Sequence, residues 1–337
     1  MATNGDEKAI AALIVHGMGD QSPAFADRFM DDVAEAVNDM GYPASKVALF
    51  PLYWADITQP RQQAYYSAAE AAGPLGQKKI RRFVINAFSD ATAYQLVSGE
   101  GTYEKVHARV QLKVRGLYEV VGSRDVPLVV VAHSLGGHIL SNYIWDQQNP
   151  KSGTVAPTAF ERFETHAGMV TFGCNIPLFA FAHDPVLPIE FPGAALPPEV
   201  SAAARWLNYY DKDDVLGWPL RPVCDAYAKL VSDIEMNVGN GGTSWNPLSH
   251  SGYWKEDDFV DAVAEYLCKM LEAAGVAPTG PVRTAAQRKA ARVAAKERQL
   301  SLSLRAGSRK TLAARKRPKG TTKKVPKGKA RQALRRR

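Results

Sequence analysis

The sequence predicts an α/β fold, a mainly parallel sheet with helices on both faces. Three observations predict it. Apolar, β-branched runs alternate with amphipathic helical patterns up to about residue 275. Two of those runs break abruptly into small residues, as strands do where they turn into helices. The residues best suited to chemistry fall just past strand ends, where such sheets carry their sites.

Strands are expected at 9–15, 46–51, 126–132, 168–174, 205–210 and 233–238. Helices are expected near 23–40, 61–72, 77–90, 102–122, 136–148 and 256–274. The connection from Tyr53 to Tyr103 is long and carries Trp54, Tyr65, Tyr66, Phe83, Phe88 and Tyr94 among helix formers. It reads as extra helices packed on the core or as a helical cap over 53–103. Asn175 to Pro198 is apolar and rich in proline, with Phe179, Phe181, Leu187, Ile189 and Phe191 either packing on the body or lining a cleft.

The stretch Val129-Val130-Val131-Ala132-His133-Ser134-Leu135-Gly136-Gly137-His138 runs from a buried strand into a serine flanked by small residues. A sharp strand-to-helix turn would thrust the Ser134 hydroxyl clear of the backbone, the placement a nucleophile needs. Ala132 and Gly136 keep strand and helix close. After the first strand comes His16-Gly17-Met18-Gly19-Asp20-Gln21, a glycine turn able to face backbone N–H groups towards a developing oxyanion. The N–H groups of Met18 and Leu135 are the expected donors.

A base and an acid complete the set. Of the seven histidines, His16 belongs to the glycine turn, His133 adjoins Ser134 and should point away, and His138 lies on the following helix. His107 precedes the serine, and His166 and His183 precede the best acids. His250 remains, in a loop between the last strand and the helix beginning near Glu256. The acid is sought in Asp211-Lys212-Asp213-Asp214, leaving the strand that ends at Tyr210. Asp214 is preferred because an apolar pair follows it, Asp213 stands as the alternative, and at least two of the three aspartates should be solvated. A carboxylate there would fix the imidazole tautomer and stabilise its charged form.

These motifs together resemble the α/β-hydrolases of the lipase and esterase type. His16 to Gly19 is similar to the family's oxyanion motif, Ala132 to Gly136 to its nucleophile elbow, with alanine where glycine is usual. Ser134, Asp214 and His250 follow its order of nucleophile, acid and base. Thr171 to Pro177 resembles the strand and loop that follow the elbow in many lipases. The resemblance spans about residues 8 to 275. It implies a serine hydrolase acting on a small-molecule or lipid carboxylic ester through an acyl-enzyme, without a cofactor. Thioesters, amides and phospholipids fit the same constellation, and fold does not choose among them.

Charge divides the chain. Residues 281–337 hold 21 Lys or Arg and one acid, Glu297, whereas residues 1–280 hold 21 basic and 33 acidic residues. A hydrolase domain over 1–278 is therefore expected to carry a basic, disordered tail over 279–337. Residues 283–337 are a candidate contact for nucleic acid or an anionic membrane surface. A non-catalytic polyanion-binding protein on a hydrolase scaffold is the alternative from another class. No secretory signal or membrane span is legible, so a cytoplasmic location is expected. Cys174, Cys224 and Cys268 show no metal-ligand spacing, and buried free thiols are expected.

Overall fold

A computed structural model describes residues 7–94, 101–150, 155–239 and 249–294, with Arg298. In chain order the strands are β1 (Ile10–Val15), β2 (Val47–Leu52), β3 (Leu128–His133), β4 (His166–Phe172), β5 (Arg205–Tyr210) and β6 (Val231–Glu235). All five pairings are parallel, in the order β2-β1-β3-β4-β5-β6. The long helices are α1 (Asp27–Asp39), α2 (Gln59–Ala72), α3 (Lys78–Ala93), α4 (Thr102–Val120) and α5 (Leu135–Gln148). Three short ones follow, α6 (Ile176–Ala180), α7 (Pro198–Ala203) and α8 (Asp225–Leu230), and then α9 (Asp257–Ala273).

Side-chain alternation along the strands makes two cores from one sheet. Ala11, Leu13 and Val15 of β1 with Leu128, Val130 and Ala132 of β3 face α4 and α5, packing on Val106, Val110, Val114, Leu117, Ile139 and Leu140. Ile10, Ala12 and Ile14 with Val129 and Val131 face α1 and α9, packing on Phe29, Val33, Val37, Phe259, Val263 and Leu267. Every residue of β1, β3 and β4 is buried, which is why β1 and most of β3 read as continuous apolar runs.

Some boundaries differ from expectation. The last strand lies at Val231–Glu235 rather than 233–238, because β5 pairs from Trp206 with Val231 onward and Tyr210 with Glu235. The helices α6, α7 and α8 were not expected: at five or six residues each is too short to show a helical period. The segment 53–103 forms α2 and α3, with Trp54 and Tyr94 in the core, and residues 95–100 lie outside the described residues. Of the apolar loop, Ile189 is buried and Phe179 packs on the core, whereas Phe181 is 90 % exposed. Cys174 and Cys268 are buried and Cys224 half-buried, all three as free thiols.

The chain divides after Ala285 into two units. Residues 279–283, counted with the tail on charge, belong to the first unit and hydrogen-bond within it: the Thr279 and Gly280 N–H groups donate to the Gly41 carbonyl, and Arg283 to Asp39. In the second unit the helical residues 286–294 and Arg298 are described, and the rest of the basic tail lies outside the described residues. Among the described residues no helix is long and apolar enough to cross a membrane.

Candidate active site

β3 ends at His133, and α5 begins at Leu135, leaving Ser134 alone to make the turn. It does so at φ 52° and ψ −125°, a conformation that side chains rarely adopt and that strains the backbone by about 1–3 kcal/mol. The strain is held by neighbours. The Ser134 N–H donates to the Phe172 carbonyl (3.0 Å), and its own carbonyl accepts from the Gly137 N–H (3.0 Å). A β-carbon on Gly136 would stand 2.6 Å from the His16 carbonyl oxygen, so only glycine lets α5 start this close to the β1 loop.

A parallel six-stranded sheet, covered on both faces and carrying a strained serine turn at the carboxyl end of its third strand, decides the architecture. The fold is the α/β-hydrolase fold. No protein-family model and no curated protein matches the sequence. Solved structures similar to it include a protein assigned to the alpha/beta hydrolase superfamily from Xanthomonas campestris pv. campestris, at 13% identity over 78% of this chain and 98% of the other, with a TM-score of 0.36. A dienelactone hydrolase from Anabaena variabilis has 16% identity over 80% of this chain and 87% of its own, with a TM-score of 0.36. A hormone-sensitive lipase from a metagenome library has 12% identity over 80% and 78%, with a TM-score of 0.39.

In this hydrolase fold three side chains from distant parts of the sequence meet in a line. The Ser134 hydroxyl donates to His250 Nε2 at 2.7 Å, and His250 Nδ1–H donates to Asp214 Oδ2 at 2.8 Å, with Oδ1 at 3.1 Å. A carboxylate only accepts, so the proton of the imidazole sits on Nδ1 and leaves Nε2 free to take the serine's. All three residues are buried, Ser134 completely. Burial opposes the charge on Asp214, but His250 and the Leu216 N–H hold its carboxyl below the usual carboxylate range. The Tyr253 hydroxyl also donates to Asp214 Oδ2 at 3.2 Å.

Asp213, the alternative acid, pairs with Lys212 at 2.7 Å instead. Asp211 departs from the expected solvated turn: it is 1 % exposed, and its carboxylate accepts the N–H groups of Asp213 and Val238, closing the loop around Asp214. Pro247 and Leu248, which precede His250, lie outside the described residues.

Of the two expected oxyanion donors, Leu135 adjoins Ser134 in the chain and Met18 follows a glycine that packs against it. Leu135 is the first residue of α5, where unpaired N–H groups and the helix dipole favour negative charge. Gly17 brings the β1 loop against the serine so tightly that a β-carbon there would lie 2.5 Å from the Ser134 Cβ. Met18 follows directly and packs partly buried on the core.

Four residues support the site in ways that no local sequence rule signals. His133 does not point clear of the site: its Nε2–H donates to the His250 carbonyl at 2.7 Å, and the two rings lie 4.7 Å apart, because the His250 loop folds back against β3. Burial lowers its pKa to about 3, keeping it neutral. His16 stacks on Trp54 and accepts that residue's N–H on Nε2 at 3.1 Å, while the Trp54 indole N–H donates to the His16 carbonyl. Asp90 of α3 is completely buried and accepts the Gly19 N–H at 2.8 Å and the Gln62 amide at 2.5 Å. Gln59 donates to the Gln21 carbonyl at 3.0 Å. The helices α2 and α3 thus hold the loop that carries Met18. A lone aspartate in a helical pattern gives no sequence signal of such a role.

A cleft of about 800 Å³ lies beside α5, lined by Tyr94, Tyr103, His107, His138, Trp145 and Phe179. Neither Ser134 nor His250 lines it. Among the described residues no cluster of three or more His, Cys, Asp or Glu could hold a metal ion.

Proposed function

We propose that this chain is a serine hydrolase that cleaves a carboxylic ester through an acyl-enzyme on Ser134. The observation that carries the reading is the unbroken line from the Ser134 hydroxyl through His250 to Asp214, at 2.7 and 2.8 Å, built on a strained turn. Ser134 Oγ attacks the ester carbonyl as its proton passes to His250 Nε2. The tetrahedral oxyanion is held by the N–H groups of Met18 and Leu135. Its collapse breaks the carbonyl carbon to alkoxy bond, and His250 returns the proton to the departing alcohol. Water then attacks the acyl-enzyme with His250 again as base, releasing the carboxylic acid and restoring Ser134. Asp214 orients the imidazole and stabilises its charged form throughout.

Labelling by a fluorophosphonate, followed by peptide mapping, tests the reading, because only an activated serine reacts. Wild-type protein should be labelled on Ser134, and Ser134→Ala should be neither labelled nor active on short p-nitrophenyl esters. An unlabelled wild type would leave the body a scaffold. Activity above a tenth of wild type in Ser134→Ala would remove the serine from its role.

A further inference from the structure

Helix α3 presents one face that is left exposed among the described residues. Its inner side, with Asn86, Ala87, Asp90 and Tyr94, is buried. Ile80, Val84 and Phe88 recur every four residues on another side, and are 61 %, 44 % and 59 % exposed. At about 100° per residue they form one stripe spanning roughly 80° of the helix. Scattered exposed apolar residues need no explanation, but three in register on one helix do. Arg81 falls at the edge of the stripe, and Arg82 and Lys78 lie further round on the exposed side.

The charge of this helix opposes that of the body. Residues 1–280 carry 33 acidic against 21 basic residues, yet the single acid of α3, Asp90, is buried and turned to the Gly19 loop. Lys78 is paired with Glu70 at 2.9 Å, whereas the exposed Arg81 and Arg82 keep their charge towards solvent, Arg81 donating to the Gly76 carbonyl and Arg82 lying 5.0 Å over the Tyr66 ring. An apolar stripe with the Arg81 guanidinium at its edge fits an interface with hydrocarbon on one side and phosphate on the other. The chain's own basic tail is a poor occupant, because its charge has the same sign. A second copy would set two cationic helices face to face with no exposed acid on either to offset them.

We infer that this face docks the protein on an anionic lipid surface, with Ile80, Val84 and Phe88 entering the acyl boundary and Arg81 meeting lipid phosphates. The docking is separate from ester cleavage and from the tail, and it sets α3, which holds the Gly19 loop through Asp90, against the membrane.

The test uses the full chain and vesicles of phosphatidylcholine with phosphatidylglycerol, against phosphatidylcholine alone, in co-sedimentation at physiological salt. I80S/F88S should weaken partitioning onto the anionic vesicles at least tenfold, and R81E should weaken it several-fold. Both variants alter exposed side chains, and unchanged thermal unfolding would show that the fold is intact. A solvatochromic label at Val84→Cys, in a Cys224→Ser background, should shift to the blue on adding anionic vesicles, a signal that tail binding cannot produce. Ser134→Ala should bind vesicles like wild type, so failure of the hydrolase reading would leave this one standing. A silent label, or equal partitioning of I80S/F88S and wild type, would overturn the inference. So would a wild-type dimer in sedimentation that I80S/F88S dissolves, which would give the face to a second copy.

Discussion

The buried carboxylate of Asp90 accepts the Gly19 N–H at 2.8 Å, joining α3 to a loop 71 residues earlier in the chain. Burial pushes this carboxyl above its usual range, and the hydrogen bonds from Gly19, Thr58 and Gln62 pull it back. One residue before Gly19 stands Met18, the proposed oxyanion donor, so the bond fixes the peptide plane that adjoins it. Removing the carboxylate in Asp90→Ala would take the Gly19 N–H's acceptor away, and an unpaired buried donor costs about 1–3 kcal/mol, while Gln62 keeps its bond to Ser89. Esterase kcat should fall at least tenfold in Asp90→Ala, with KM little changed. Asp90→Asn should recover most of it, because Gln62 Oε1, which has no partner among the described residues, can accept from the new amide after a flip. Steady-state kinetics of both variants check this, and wild-type kcat in Asp90→Ala would show that the loop holds itself.

Asp214→Asn should lower turnover far more than Asp213→Asn. An amide at 214 would favour the wrong imidazole tautomer, a change that removes about 10⁴-fold in another triad enzyme. Asp213 faces Lys212 and solvent, so its amide should stay within a few-fold of wild type, as exposed pairs contribute roughly 0–1 kcal/mol. Small, equal effects on kcat would place the acid elsewhere.

Gly17→Ala should disable the site more than the fold. The new methyl would meet the Ser134 Cβ at 2.5 Å and His133 Nδ1 at 3.0 Å, and the loop can relieve this only by lifting away from the serine. Loss of one oxyanion donor corresponds to about 10²–10³-fold in kcat. Ester kinetics beside thermal unfolding separate the two effects, and an active variant would show that the Met18 N–H is not used.

Stability should fall as pH drops below about 6.5. Burial lowers the pKa of His16 and His166 to about 4 and that of His133 and His138 to about 3, so below 6.5 the unfolded chain binds protons that the folded one refuses. Stability from these four is complete above the unfolded value and declines by up to ~1.4 kcal/mol per pH unit for each group. Asp90, raised by burial, acts in the opposite sense, but is one group against four. Urea midpoints between pH 7.5 and 5 measure the slope, and a flat profile would contradict the neutral, buried state of these rings.

Truncation after Ala285 should preserve hydrolysis of a small soluble ester and remove the tail's proposed binding to nucleic acid. A cut at Thr279 would also sever the contacts to Gly41 and Asp39. Affinity of the full chain should fall steeply with salt, by roughly 0.7 to 0.9 in log affinity per log salt for each neutralised phosphate. Equal binding by the truncated body in a fluorescence titration would move the contact off the tail.

The sequence by itself determined the alternating strands and helices, the serine turn and the glycine loop, because each rests on local rules: side-chain period, the steric smallness of Gly17 and Gly136, and an apolar run ending in a polar residue. It also limited the candidate acid to the Asp211–Asp214 loop and the candidate base to His250. Which aspartate meets His250 was decided by tertiary structure, since Asp211, Asp213 and Asp214 share one local composition and differ only in what folds over them: Val238 and Tyr253 for Asp211, solvent and Lys212 for Asp213, His250 for Asp214. The roles of His133 and Asp90 were likewise decided in three dimensions. Each acts through a backbone group far away in the chain, 117 residues for His133 and His250 and 71 for Asp90 and Gly19, and no periodicity or spacing rule registers a contact of that range.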